Sequence, residues 1–197
     1  MTGSGDELSP ESRLMKDLPP LSPDVVIREA RPGADVEAAA ALMVTYLTWG
    51  HERLREEYGL EEAPSNPADV VASLSAYQPP RGVLLITERD GRVVGVGALR
   101  RLGADVAEVK RMYVAPEARS LHLGSALLDR LILAARSWHA RVLRLDTVRF
   151  MADAQRLYRS RGFVERSPYE GSEIPPHLQK YWLFFERPLE EEPKPGS

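Results

Sequence analysis

The order in which hydrophobic periods succeed one another constrains this chain most. Segments of strand-like and helix-like period run as β-α-α-β-β-β-α-β-α-β-β, which points to an α/β or α+β domain built on a mixed sheet. Val25–Ala30 reads as a short strand, and Ala34 to about Trp49 as a helix with Val36, Met43 and Leu47 at helix-face spacing. A polar stretch, His51–Glu62, and a break at Pro64–Pro67 precede a second short helix reaching Tyr77. Val83–Thr87 and Val93–Leu99 are β-rich runs joined through Asp90-Gly91, a strong hairpin dipeptide. Val106–Val114 is a further strand. The long helix after it places Leu123, Leu127, Leu131, Ala134, Ala135 and Trp138 on one face. Arg141–Val148 alternates as a strand, Met151–Arg161 is a helix closed by Gly162, and strands near 163–166 and 180–187 complete the chain.

Composition serves mainly to exclude. At 197 residues, 43% hydrophobic and 28% charged, the chain suits one globular domain, expected over residues 24–188. The polar, Pro-rich ends, 1–23 and 189–197, predict disordered tails. A formal charge of -3, with basic residues scattered among acidic ones, argues against a nucleic-acid partner. The absence of cysteine removes disulfides, a thiolate nucleophile and thiolate-held metals. His51, His122, His139 and His177 show no ligand spacing, so no metal is expected. Met1–Pro23 does not read as a signal peptide, and no apolar run reaches the roughly 18–20 residues of a membrane span. A cytoplasmic protein without a membrane partner is the expectation.

The chemistry concentrates in Glu108–Leu128, EVKRMYVAPEARSLHLGSALL, a strand, a loop with an arginine and a glycine, and a helix start. Free backbone N–H groups and the positive end of a helix dipole converge there, Arg119 adds a donor suited to phosphate, and Gly124 permits close backbone approach. An ordinary connection with a surface arginine and a packing glycine would look the same, so the pattern alone does not decide. A P-loop is excluded, since there is no G-K-[ST], and the G-x-G-x-x-G of a dinucleotide-binding loop is absent.

Two stretches carry a family resemblance. Glu108-Val109-Lys110-Arg111-Met112-Tyr113-Val114-Ala115-Pro116-Glu117-Ala118-Arg119, continued by Ser120-Leu121-His122-Leu123-Gly124-Ser125-Ala126, resembles E-x-K-R-x-Y-V-x-P-x-x-R followed by x-x-G-x-G/A. Ala154-Gln155-Arg156-Leu157-Tyr158, ending at Gly162-Phe163, resembles A-x-x-L-Y-x-x-x-G-F. Both are signatures of the GNAT (Gcn5-related) N-acetyltransferases, and the likeness extends over roughly residues 25–187.

The resemblance implies a mostly antiparallel mixed sheet of six to seven strands flanked by about four helices. It also implies an acyl-CoA N-acyltransferase (EC 2.3.1.-) that moves an acetyl group from acetyl-CoA to a primary amine of a small molecule or peptide. The cofactor arm would lie along Met112, Tyr113 and Val114, and the pyrophosphate on the amides from Arg119, Ser120, Leu121, His122, Leu123 and Gly124 to Ser125 and Ala126. His122 stands where the family usually has glycine, tolerated at positive φ or donating to phosphate. Met151 stands where the family often has asparagine, removing a polar contact to the arm.

Tyr158 matches the tyrosine that such enzymes aim at the cofactor sulfur, the general acid; the other reading is a core tyrosine. Glu108 is the candidate base; the other reading is a strand carboxylate balancing Lys110 or Arg111. Attack is expected to be direct, since cysteine is absent and no Ser–His–acid pattern appears, with N–H groups near Val114 facing the thioester oxygen. The acceptor would meet Tyr46–Glu62 and Ser167–Gln179. The reading leaves room for a homodimer. An alternative is a degenerate acyl-CoA-binding regulatory module without turnover.

Overall fold

The computed structural model describes residues 18, 20–61 and 64–189. Most of the two expected tails lies outside them. The elements are β1 (Val25–Glu29), α1 (Ala34–Tyr58), α2 (Pro67–Ser75), β2 (Gly82–Arg89), β3 (Arg92–Arg101), β4 (Val106–Val114), α3 (Leu123–Ser137), β5 (Val142–Val148), α4 (Ala152–Ser160), β6 (Val164–Arg166) and β7 (Trp182–Pro188). Short 3-10 turns occupy Pro116–Leu121 and Gln179–Tyr181. The seven strands form one sheet in the order β1-β2-β3-β4-β5-β7-β6. Only β4 and β5 pair in parallel. The expected mixed, mostly antiparallel sheet with four helices is what forms.

The strand pattern explains the layering. On β2, Val83 and Leu85 point into a core with Leu127, Leu131 and Ala135 of α3, while Leu84 and Ile86 face Val36, Met43 and Leu74 of α1 and α2. Such a run, buried on both faces, is a central strand between two helical layers. Gly97 lets α3 settle on the sheet, since a Cβ there would lie 3.0 Å from Leu131 and 3.2 Å from Leu127. Asp90 and Gly91, at φ 49° and 73°, form the expected two-residue hairpin turn between Arg89 and Arg92.

One helix departs from expectation. α1 does not end near Trp49 but runs to Tyr58, where Gly59 closes it at φ 65°. Gly50 does not interrupt it, and Leu54 is buried. On the polar side Arg53 pairs with Glu56 at 3.0 Å and with Glu57, the spacing that supports an exposed helical turn.

β4 carries the decisive irregularity. Val96 lies opposite Tyr113 and Ala98 opposite Lys110, so β4 holds one residue more than β3 across this interval. That residue is Arg111, at φ 54°. A bulge bends the strand and reverses the side-chain alternation beyond it. Accordingly Val109 and Met112 share the α3 core, whereas Tyr113 joins the α1 core.

Candidate active site

β4 and β5 are joined only at Val106/Val142, Ala107/Leu143 and Glu108/Arg144. Beyond Glu108 the strands part. β5 stays paired to β7 as far as Val148/Trp182, and β4 stays paired to β3 as far as Val114/Gly95. Their facing edges are therefore open, and an open strand edge accepts an extended ligand by main-chain hydrogen bonding. A cavity of about 710 Å³ lies there, lined by both strands, α1, α4 and the loop before β7. That volume is in the range of small-molecule sites.

At the C-terminal end of β4 the chain turns through the 3-10 segment into α3. His122 caps this helix in the left-handed region, φ 56° and ψ 21°. Glycine, expected here from the resemblance, adopts this region freely, and histidine is among the non-glycine residues less averse to it. The amides of Ser125 and Ala126 donate to the His122 carbonyl at 3.0 and 3.2 Å. Those two expected phosphate donors are thus engaged within the helix, and the helix-terminal donors lie upstream, at His122, Leu123 and Gly124.

Gly124 lines the cavity, and a Cβ there would project to 3.7 Å from Leu157. Arg119 also lines it, its Nε donating to the Val114 carbonyl at 3.2 Å. That carbonyl therefore already has a partner. Met112, Tyr113, Val114 and Met151 line the cavity, whereas Leu123 is 1% exposed and packs with Val25, Val114 and Ala118. Leu121, His122, Ser125 and Ala126 are not on the wall, and Ser120 contributes backbone to the 3-10 turn.

Tyr158 is on the wall, its ring against Phe163 and Phe185. Burial pushes its phenol well above the ordinary tyrosine value, so it stays protonated at neutral pH. Tyr46, also on the wall and 4.7 Å from the Tyr113 ring, is pushed up to about 12 by burial and then by the Asp146 charge.

Glu108 is placed differently from a wall residue. It is fully buried and does not line the cavity. Its Oε1 accepts from the Tyr169 hydroxyl at 2.7 Å and its Oε2 from Arg100 Nε at 2.6 Å. Contact with a cavity-bound amine would require one of these partners to withdraw. The acidic groups on the wall are Glu173, on the expected acceptor loop, together with Asp146 and Asp153, which sequence reasoning did not place there. Lys110 Nζ lies 2.8 Å from Asp146, 3.5 Å from Glu173 and 3.8 Å from Glu108. Burial pulls the Lys110 ammonium down, but the carboxylates of Asp146, Glu108 and Glu173 outweigh it and hold the group charged. Burial likewise raises Glu173, and Lys110, Arg100 and Arg111 together bring it below the ordinary carboxylate value.

Both expected acceptor segments reach the wall, through Tyr46, Trp49 and Leu54 on α1 and through Glu173, Ile174 and Leu178 on the loop. Phe150, edge-on to Trp49 at 6.0 Å, is a wall residue that the sequence does not signal, because it sits in a short turn without motif. Among the described residues no cluster of three or more His, Cys, Asp or Glu could hold a metal, and no helix is long and apolar enough to cross a membrane.

Comparison with known proteins agrees with this geometry. The sequence matches the Acetyltransferase (GNAT) family over residues 46–163. It is 33% identical over 123 residues to an uncharacterized N-acetyltransferase of Schizosaccharomyces pombe, spanning 61% of this chain and 76% of that protein. It is 40% identical over 106 residues to the IAA acetyltransferase of Azospirillum brasilense, spanning 53% and 67% of the two. The fold is similar to that of an acetyltransferase from Streptococcus agalactiae (TM-score 0.68, 21% identity, 85% of this chain and 100% of that one). It is also similar to yncA from Salmonella typhimurium, whose structure was determined with its cofactor acetyl-CoA (TM-score 0.60, 21% identity, 88% and 99%).

Proposed function

The chain belongs to the GNAT acetyltransferase family and is an acyl-CoA N-acyltransferase, and on that premise we propose that it moves the acetyl group of acetyl-CoA to a primary amine by direct attack. The observation that carries the reading is the parting of β4 from β5 beside the N-terminus of α3, with Arg119 on the cavity wall. The residues fit the donor molecule: an open strand edge for an extended arm, helix-terminal amides and a guanidinium for the diphosphate, and a glycine where a side chain would intrude. Acetyl-CoA supplies the activated acyl group as a thioester.

The protein's own groups supply the rest. The β4 edge orients the donor. Tyr46, Trp49, Phe150 and Leu178 form the apolar part of the wall beside the reacting groups. The Tyr158 hydroxyl, protonated at neutral pH, gives its proton to the departing sulfur. Glu173, the carboxylate on the acceptor-loop side of the wall, holds the incoming ammonium and receives its proton, directly or through water. Glu108 supports this from behind by fixing Arg100 and Tyr169. It takes the proton itself only if the Tyr169 hydroxyl gives way. With this reading go a catalytic domain over residues 24–188, a cytoplasmic location and a small-molecule or peptide acceptor.

The test is CoA-thiol release by the full chain with a panel of amines. Acceptor-dependent release, slowed in Tyr158→Phe, supports the proposal. Binding of acetyl-CoA without release by any acceptor would instead identify a binding module.

A further inference from the structure

We propose that the acceptor is an α-amino acid or a close zwitterionic relative, whose carboxylate is taken by Arg111 and whose amine is taken by Glu173. This deepens the acetyl-transfer reading and rests on it.

Of three other cations near the cavity, two have committed partners and the third, Arg119, serves the diphosphate end. Arg100 directs Nε to Glu108, Nη1 to Glu173 at 2.8 Å and Nη2 to the Gly171 carbonyl at 2.9 Å. Lys110 is buried and closes on Asp146. Arg119 holds the Val114 carbonyl at the diphosphate end. Arg111 is different. Its side chain is 32% exposed, it lines the cavity, and its contacts are long ones: 3.3 Å to Ser73 Oγ and 3.6 Å to Glu173 Oε2. A guanidinium offers five N–H donors in a fork shaped for a carboxylate, and most of this one remain available.

The bulge gives a second reason to look here. Arg111 holds φ 54°, a conformation natural to glycine and unfavourable for a long side chain. Non-glycine residues in this region concentrate at functional sites.

Glu173 is the complement. Its Oε1 is fixed by Arg100, while Oε2 has only the contacts at 3.5 Å to Lys110 and 3.6 Å to Arg111. A loosely held carboxylate oxygen beside an under-used guanidinium suits a ligand carrying opposite charges a few bonds apart. A simple amine, or the N-terminus of a peptide with its carboxyl group in an amide, would engage Glu173 and leave Arg111 without an anion. Trp49 and Phe150 line the same cavity and can receive the amino acid side chain.

The experiment is thiol release with acetyl-CoA and the standard L-amino acids, each active one paired with its methyl ester and its decarboxylated amine. At least one amino acid should turn over and lose about 100-fold in kcat/KM on esterification or decarboxylation, since a site built for a polar group strongly rejects the analogue without it. Arg111→Gln should raise KM for the acid about tenfold or more and cost the ester several-fold less, since the ester keeps the Glu173 contact and has no carboxylate to lose. Arg111→Lys should fall between, because it keeps the charge and loses the fork. Thermal melting and acetyl-CoA titration of each variant report whether it is folded.

Esters and amines that match the acids, turnover confined to acceptors without a carboxylate, or equal loss for acid and ester in Arg111→Gln would overturn the inference. If no acceptor of any class turns over, the acetyl-transfer reading fails, and saturation-transfer NMR with the same amino acids judges the pocket separately. Transfer lost in Arg111→Gln supports it, and absence of transfer in the wild type overturns it.

Discussion

Lys110 Nζ lies 2.8 Å from Asp146 Oδ2, joining by side chains two strands whose backbones have just separated. Their last backbone pairing is Glu108/Arg144, two residues earlier on each strand. The ion pair therefore ties the cleft at its root while the cleft opens beyond it. Both side chains are under a tenth exposed, so neither charge can be left alone cheaply.

Lys110→Met should accordingly lower stability by about 3–5 kcal/mol, because Asp146 would stay buried without its counter-ion. Denaturant unfolding of the single variants and of Lys110→Met with Asp146→Leu measures this. The double variant should recover most of the loss, and no recovery would mean that the pair is not the tie described.

Tyr158→Phe should keep the fold, since the ring contacts with Phe163 and Phe185 remain, and should slow kcat by about 10²–10⁴-fold as expected for loss of a general acid. Acetyl-CoA affinity should be unchanged. With the phenol raised by burial, the wild-type rate should show no alkaline decline from this group up to about pH 10. A pH–rate series on both proteins checks the two statements together.

Glu108→Gln discriminates the roles of the carboxylates. With Glu108 behind the wall and bonded to Tyr169 and Arg100, the variant should lose stability yet keep the shape of the pH–rate profile. Glu173→Gln should instead raise the acceptor KM, lower kcat and remove the acid limb of the profile, because it takes away the proton acceptor as well as the ammonium contact. A changed profile in Glu108→Gln with an unchanged one in Glu173→Gln would return the base role to Glu108.

Much of this architecture is legible in the sequence because it depends on local pattern. Asp90-Gly91 names its own turn, the α3 stripe names its buried face, and the Arg119–Gly124 loop stands where a strand meets a helix. The rest depends on distance or on geometry without a residue signature. Glu108 looks like an exposed strand carboxylate until Tyr169, 61 residues away, is folded against it. The bulge at Arg111 carries no glycine to mark it. α1 outruns the apolar stripe read for it because Leu54 is buried and Tyr58 stacks on Tyr181, contacts made by segments distant in sequence.

Acid stability has a specific source in Asp35, in the first turn of α1. It accepts from both terminal nitrogens of Arg28, at 2.5 and 3.0 Å, and from the Arg31 amide at 2.8 Å. The Arg28 hydrogen bonds, then that amide, lower its carboxyl to about 2. A lowered folded-state pKa contributes stability that is complete above about pH 4 and vanishes as pH falls through about 2. Asp35→Asn should cost about 1–2 kcal/mol at neutral pH and flatten that part of the curve. Thermal melts from pH 2 to 7 would show an unaltered slope if the assignment is wrong.

His122→Gly should raise stability by about 0.5–1 kcal/mol, because glycine adopts the left-handed cap without strain, and should leave acetyl-CoA binding intact. His122→Val should do the reverse on both counts, since a β-branched residue resists this conformation. Equal stability of the two variants would show that the cap does not require positive φ.

Every catalytic step depends on the donor lying in the gap between β4 and β5 with its diphosphate at the start of α3. Calorimetric titration of the full chain with acetyl-CoA, beside Gly124→Val and Arg119→Ala, tests this most directly. Saturable binding to the wild type, weakened about tenfold or more in each folded variant, is the predicted result. A flat wild-type titration, or variants that bind as tightly as the wild type, would contradict it.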